Sequence, residues 1–227
     1  MEWGQAWRVI ASRYPPINLF ERLTPDPAVW EALIALEQLT NPRLRDAVGE
    51  IALVPPEERV SGPGAGYVMA AFTHLNPHGS RFSDGSYGVY YAAAALSTAI
   101  AETMFHFAKF ARDSSDPPRQ EDMRVLVGPV DAEFEDVAAL AEAERCAILD
   151  PDGYAASRAY AGHIRAAGAN GVVYPSVREA GGACLGAFRP RAVGIPRQER
   201  HLKYRWNGER VDRYFDYKRD EWISITV

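Results

Sequence analysis

Residues 79–106 read GSRFSDGSYGVYYAAAALSTAIAETMFH, and the fold turns on how this stretch is parsed. Asp84-Gly85 and Tyr87-Gly88 break the backbone, because glycine accepts dihedral angles that other residues resist. Val89, Tyr90 and Tyr91 follow with β-branched and aromatic side chains, so a short strand is expected. The chain then turns Ala-rich, and Ser97 is placed to cap a helix whose interior is Thr98 to Phe110. Ile100, Thr103, Met104 and Phe107 fall on one helical stripe. Such a helix, apolar over most of its surface, belongs in a core, yet it carries the acid Glu102. A carboxylate in a dry setting is costly without a partner. Two readings follow: Glu102 faces a gap in solvent or pairs with His106 one turn on, or it is a catalytic carboxylate close to an Arg and a Tyr.

Working outward, the 227 residues suffice for one domain with a substantial core. With 47% hydrophobic and 24% charged residues, the composition is that of an ordinary globular protein. A net charge of −5 argues against a surface built for nucleic-acid phosphates, while a few placed arginines would still serve an anionic nucleotide. Cys146 and Cys184 form no CxxC, so neither a disulfide framework nor a zinc finger is expected. MEWGQAWRVI lacks a basic region followed by an apolar core, and no later run has the length of a membrane span. The expectation is a cytoplasmic protein.

Towards the N-terminus, Ala6 to Ala11 reads as a strand holding Arg8 between Trp7 and Val9, closed by the Tyr14-Pro15-Pro16 turn. Pro27 after Asp26 opens a helix with Val29-Trp30, Leu33-Ile34 and Leu36 at helical spacing, and Asn41-Pro42 opens a second to about Ile51. Together they form a helical insertion over about 26–52, for packing or for a partner surface. Gly62, Gly64 and Gly66 invite a dinucleotide fingerprint, but the spacing is wrong, Pro63 interrupts it and no clear strand precedes it. A short helix or strand over Tyr67 to Leu75 leads back to the central stretch. His74 and His78 are separated by Pro77, which spoils a helical metal pair, and no metal is expected.

Towards the C-terminus, Asp113 to Asp122 reads as a polar loop, Met123 to Val130 as a strand and Ala138 to Ala147 as a short helix. Tyr154 to Ala167 has helical character, with Ser157 in its first turns. Gly168-Ala-Asn-Gly171 closes that helix, and strands follow from Val172 and over Ala183 to Phe188. Asn207-Gly208 marks a hairpin between Tyr204–Trp206 and Val211–Tyr214. Its Arg- and Tyr-rich flanks suggest a solvated sheet edge or a partner-binding face. The mixed order, without steady βαβ alternation, favours an α+β fold.

Arg81-Phe-Ser-Asp-Gly, then Tyr90-Tyr-Ala and Ala101-Glu102, and later Gly171-Val-Val-Tyr-Pro-Ser-Val-Arg178, together resemble the RES-domain proteins. The resemblance runs from Trp7-Arg8-Val9 to about Arg189. It implies a single domain over 1–227 with an ADP-ribosyltransferase-like split β-sheet core. It also implies a toxin of a bacterial RES–Xre toxin–antitoxin pair, with NAD as substrate. Glu102 takes the place of the catalytic carboxylate. Arg8 and Arg81 match the arginines that clamp the pyrophosphate, with Arg13 and Arg22 as lesser candidates for Arg8's role; a guanidinium fork suits bidentate phosphate contacts. Tyr91 matches the aromatic beside the nicotinamide or ribose, with Tyr90 as the neighbouring register. The family serine is assigned to Ser157 by its distance from Glu102, and Ser176 is the alternative on the motif. Where relatives carry Gly-Gly-Arg-Trp, this chain has Gly79-Ser80-Arg81-Phe82, a departure that bears on the loop backbone.

The implied chemistry is cleavage of the nicotinamide–ribose bond through an oxocarbenium-like centre that a carboxylate stabilises. ADP-ribose then passes to a protein target, or free NAD is lost to phosphate or water. The implied partner is an Xre-like helix-turn-helix antitoxin, with no direct contact to nucleic acid or membrane. A noncatalytic protein-binding module is the reading from another class.

Overall fold

The computed structural model describes residues 1–14, 26, 29–40 and 48–225. Among the described residues, nine strands form one sheet: β1 (Glu2–Ala11), β2 (Tyr90–Ala93), β3 (Arg119–Asp131), β4 (Glu135–Asp136), β5 (Gly171–Pro175), β6 (Ala183–Ala187), β7 (Arg197–Trp206), β8 (Val211–Asp216) and β9 (Glu221–Ser224). Their spatial order is β4-β5-β6-β2-β1-β3-β7-β8-β9, antiparallel throughout except for β4 with β5. The two halves, β4-β5-β6-β2 and β1-β3-β7-β8-β9, meet through a single pair, Trp7 with Ala93. By contrast β1 and β3 pair from Glu2 with Asp131 to Ala11 with Met123. The α+β architecture is as expected, and the sheet is all but split at the β1–β2 junction.

Period-two alternation along the strands feeds two cores. On one face Val9, Ala93, Met123, Val125 and Cys184 pack with α3 (Leu96–Asp113), α4 (Glu142–Ile148) and α5 (Ala155–Ala166) through Ile100, Met104, Ile148, Ala161 and Ile164. On the other, Ala6, Tyr90, Ala92, Leu185 and Ala187 meet Trp30 and Ile34 of α1 (Trp30–Thr40) and Val68, Met69 and Phe72 of α2 (Ala65–Thr73). Burying each of these large apolar side chains contributes about 1.5–3 kcal/mol. In α1 the other half of the repeat, Val29, Leu33 and Leu36, is exposed. The expected second helix from Asn41 lies largely outside the described residues, as do Pro15-Pro16, Arg22 and Pro27. Ile51 belongs to a 3₁₀ turn over Ile51–Leu53.

Three sequence expectations need correction. Helix α3 begins at Leu96 with Ala95 in extended conformation before it, so Ser97 lies inside the first turn rather than capping it. The Ser97 and Thr98 hydroxyls instead donate to Glu179, a carboxylate brought from the β5–β6 turn. The polar segment 119–122 is strand, not loop: Glu121 pairs with Arg119, and Asp122 with Lys203 of the neighbouring strand, which offsets its polarity. Finally, β7 extends back to Arg197 and β9 follows β8. Ion pairs such as Arg200 with Asp216 and Arg205 with Asp212 hold charged residues in strands where hydrophobic alternation is weak.

Candidate functional site

The loop before β2 carries the first half of the site. Gly79 sits at φ +72°, and a Cβ there would lie 2.3 Å from the Ser83 carbonyl oxygen. Only glycine fits this approach, which lets Ser80 and Ser83 bridge and turns Arg81 and Phe82 inward. Phe82 is fully buried and packs edge-on against Tyr174, with ring centroids 4.9 Å apart. Tyr91 holds the loop from β2: its hydroxyl accepts from the Phe82 backbone N–H at 3.0 Å and bonds Ser80 Oγ at 2.7 Å. Ser80 thus gives the loop a further anchor. Burial pushes the Tyr91 phenol up to about 12, so it stays protonated as a neutral donor.

Arg8 and Arg81 reach this loop from opposite sides. Arg8 on β1 donates from Nη1 to the Tyr91 carbonyl at 2.8 Å and stacks over the Tyr90 ring, 4.5 Å from its centroid. Its Nε is buried with no partner among the described residues, and burial holds the guanidinium below its usual value. Arg81 is buried; its Nη1 donates to the carbonyls of Ile148 and Asp150 at 3.1 and 2.8 Å, past the end of α4, and it lies over Tyr154. Ser157, fully buried in α5, donates to the Arg81 carbonyl at 2.6 Å. Arg158 beside it donates to the carbonyls of Ser80 and His78. Arg8, Tyr91, Arg81 and Ser157 therefore form one connected hydrogen-bonded frame around the loop.

Glu102 anchors the second half. It lies nearly two helical turns into α3, with 18% of its side chain exposed. Ser176 Oγ, in the turn after β5, donates to its Oε1 at 2.6 Å. The Cys184 thiol, on β6, lies 3.8 Å from the same oxygen, and burial followed by the nearby carboxylate pushes this thiol up to about 12. Oε2 lies 4.0 Å from Nε2 of His106. Desolvation lowers the His106 imidazole from its ordinary value against the opposing pull of Glu102, although half of its side chain is open to solvent. Arg178 closes the rim, stacked 3.3 Å from the centroid of Phe105 and donating to the Pro151 carbonyl.

The two halves adjoin. Tyr174, buried between them, is raised well above its ordinary value, by burial first and then by Cys184, Tyr91 and Glu102, against the pull of Arg81. His106 lies within electrostatic reach of Glu102, Arg178 and Arg81. Glu102, Arg81, Tyr91 and Ser157 thus sit around one region, with Ser157 on the Arg81 side and Ser176 on Glu102, and Arg8 joins it through the Tyr91 carbonyl. Cys184, Arg158 and Arg178 were not singled out. Arg178 ends the Gly171–Arg178 block, whereas nothing in the sequence tied Cys184 or Arg158 to Glu102 or to the Gly79 loop. Among the described residues, no group of three His, Cys, Asp or Glu side chains could hold a metal ion, and no helix is long and apolar enough to cross a membrane.

Comparison with known proteins places this arrangement. Uncharacterized protein y4oC from Sinorhizobium fredii is 30% identical over 205 residues, covering 90% of this chain and 84% of that protein. The crystal structure of the M. tuberculosis MbcT-MbcA toxin-antitoxin complex aligns at 12% identity and a TM-score of 0.39, over 58% of this chain and 74% of that one. The model of the RES domain matches residues 56–207, which span the Gly79 loop, α3, α5 and the β5–β6 turn. With more than half of its length matched, the chain belongs to the RES domain family.

Proposed function

We propose that this protein is the toxin of a toxin–antitoxin pair, which cleaves the nicotinamide–ribose bond of NAD and transfers the ADP-ribose to a protein side chain. The observation that carries the reading is a mostly covered carboxylate, Glu102, held near the buried Arg81 and Tyr174 in a RES domain. As the glycosidic bond breaks, positive charge develops on the ribose, and a fixed carboxylate in a poorly solvated setting stabilises it. Arg8 and Arg81 bind the pyrophosphate; the unpartnered buried Nε of Arg8 is a donor that an anionic ligand would satisfy. Tyr91 positions the loop and presents its ring towards the nicotinamide ribose. Ser157 supports Arg81 through its carbonyl.

Nicotinamide release from NAD tests the reading. Purified protein should release nicotinamide, and Glu102→Gln should not, while both give the same far-ultraviolet circular dichroism. Equal release by the two would remove Glu102 from the chemistry. Products confined to ADP-ribose or its phosphate ester would assign phosphate or water as acceptor. Absence of release, with growth inhibition retained in Glu102→Gln, would favour a noncatalytic binding module. The proposed partner is a helix-turn-helix antitoxin covering this site; co-expression should yield a stable complex that consumes no NAD, and a fully active free protein beside the antitoxin would exclude that partner.

A further inference from the structure

We infer that the two oxygens of Glu102 have separate tasks and that Ser176 is the positioning residue that separates them. The inference rests on the NAD-cleaving reading above and goes beyond it by assigning which carboxylate oxygen meets the substrate. A serine hydroxyl has one hydrogen to give and two lone pairs to receive. Ser176 Oγ accepts the backbone N–H groups of Arg178 at 3.1 Å and Glu179 at 3.0 Å. Both lone pairs are thereby used, and the one hydrogen points at Glu102 Oε1, 2.6 Å away. The hydroxyl is fixed as a donor, and a short charge-assisted hydrogen bond holds the carboxylate in one rotamer.

The turn that carries Ser176 is itself fastened to α3. Ser176 N donates to the Gly182 carbonyl at 2.8 Å, and Gly182 N to the Glu179 carbonyl at 3.1 Å. The Glu179 carboxylate accepts from Thr98 and Ser97, four and five residues before Glu102. Gly182 lies so close to α3 that a Cβ there would come within 2.7 Å of Thr98 Cγ2. The Ser176 turn is therefore fastened, through Glu179, to the start of the helix that carries Glu102. The Cys184 thiol adds a weak second donor at the same oxygen. Among the described residues Oε2 has no comparable partner: His106 Nε2 at 4.0 Å is beyond hydrogen-bond reach. Oε1 is the anchored oxygen, and Oε2 is the one that faces the ribose as charge develops.

A graded series at position 176 tests this on the full chain, with steady-state NAD consumption as the readout. Ser176→Thr keeps a hydroxyl and should hold kcat within a few-fold. Ser176→Cys, a weak donor, should fall between, and Ser176→Ala should lower kcat by about 10- to 100-fold with KM within about twofold. A loss confined to KM, or equal kcat in all three, overturns the positioning role. If Ser176→Ala does not fold, the Thr-to-Cys difference decides: a drop in kcat supports the role and equality overturns it. Inactive Glu102→Gln beside unaffected Ser176 variants refutes this inference alone. A wild-type protein that consumes no NAD refutes the underlying reading and this inference with it.

Discussion

Ser157 Oγ donates to the carbonyl oxygen of Arg81 at 2.6 Å, tying the first turn of α5 to the loop that precedes β2. The hydroxyl also reaches the Tyr154 carbonyl at 3.1 Å, so its hydrogen is committed inside the protein. Ser157 is fully buried, and its hydroxyl supports the arginine loop through the Arg81 carbonyl. The connection orders the site by its dependence: Ser157 fixes the Arg81 backbone, and the Arg81 side chain is fixed by the end of α4.

Ser157→Ala should therefore act first on stability. Losing a buried hydroxyl and leaving the Arg81 carbonyl without it costs about 1–3 kcal/mol. For a chain of this size that lowers Tm by roughly 2–4 °C per kcal/mol. Differential scanning calorimetry checks the value, and the NAD KM should rise alongside. An unchanged Tm with lost binding would return Ser157 to direct substrate contact.

Arg8, proposed above to hold the pyrophosphate, also donates to the Tyr91 carbonyl beside the β1–β2 junction, where one strand pair joins the sheet halves. Arg8→Lys keeps the charge but loses the planar fork and the stack on Tyr90. We expect KM for NAD to rise about tenfold with kcat little changed, the cost of one charge-assisted contact. Initial-rate kinetics across NAD concentrations separates the two; a purely kcat effect would place Arg8 at the reacting atoms.

Thiol chemistry should distinguish the cysteines. Cys146 is exposed, whereas Cys184 is buried and its thiol is pushed up to about 12. A thiolate is the reactive form, so at pH 8 a disulfide reagent should label one equivalent quickly and the second only on unfolding. Two fast equivalents would show that the Glu102 surroundings open in solution.

Stability should fall on the alkaline side. Folded-state values near 12 for Cys184 and Tyr91 lie above their ordinary values of 9 and 10. The folded protein then binds more protons than the unfolded chain in that window. Their stabilisation is complete below pH 9, declines between about pH 9 and 12, and is absent above; Tyr90 and Tyr174, also raised by burial, act in the same direction. Urea unfolding at pH 8, 9.5 and 10.5 checks the sign. Rising stability over this range would contradict the burial of these groups.

Much of the fold was legible where local chemistry and burial agreed. The glycine breaks before Tyr90, the Ala-rich helix of Glu102 and the Asn207-Gly208 hairpin each follow from backbone preferences that the structure keeps. Segment 119–122 and the start of β7 were hidden because their stabilising partners lie across the sheet: Asp122 meets Lys203 and Arg200 meets Asp216, pairings that no local pattern encodes. The helix start was misplaced for the same reason, since its hydroxyls answer to Glu179 more than 80 residues away. At the site, Arg81, Tyr91 and Glu102 were legible as candidates only through the resemblance of their motifs to the RES domain. The division between Ser157 and Ser176 was not, because it depends on which turn faces which oxygen.

The most direct measurement uses NAD labelled on the adenylate, incubated with purified wild-type protein and with Glu102→Gln in a cell extract. The account predicts label on a discrete protein band with the wild type and at least about 100-fold less with the variant. Label transferred equally by both proteins, or by neither while NAD remains intact, would contradict it.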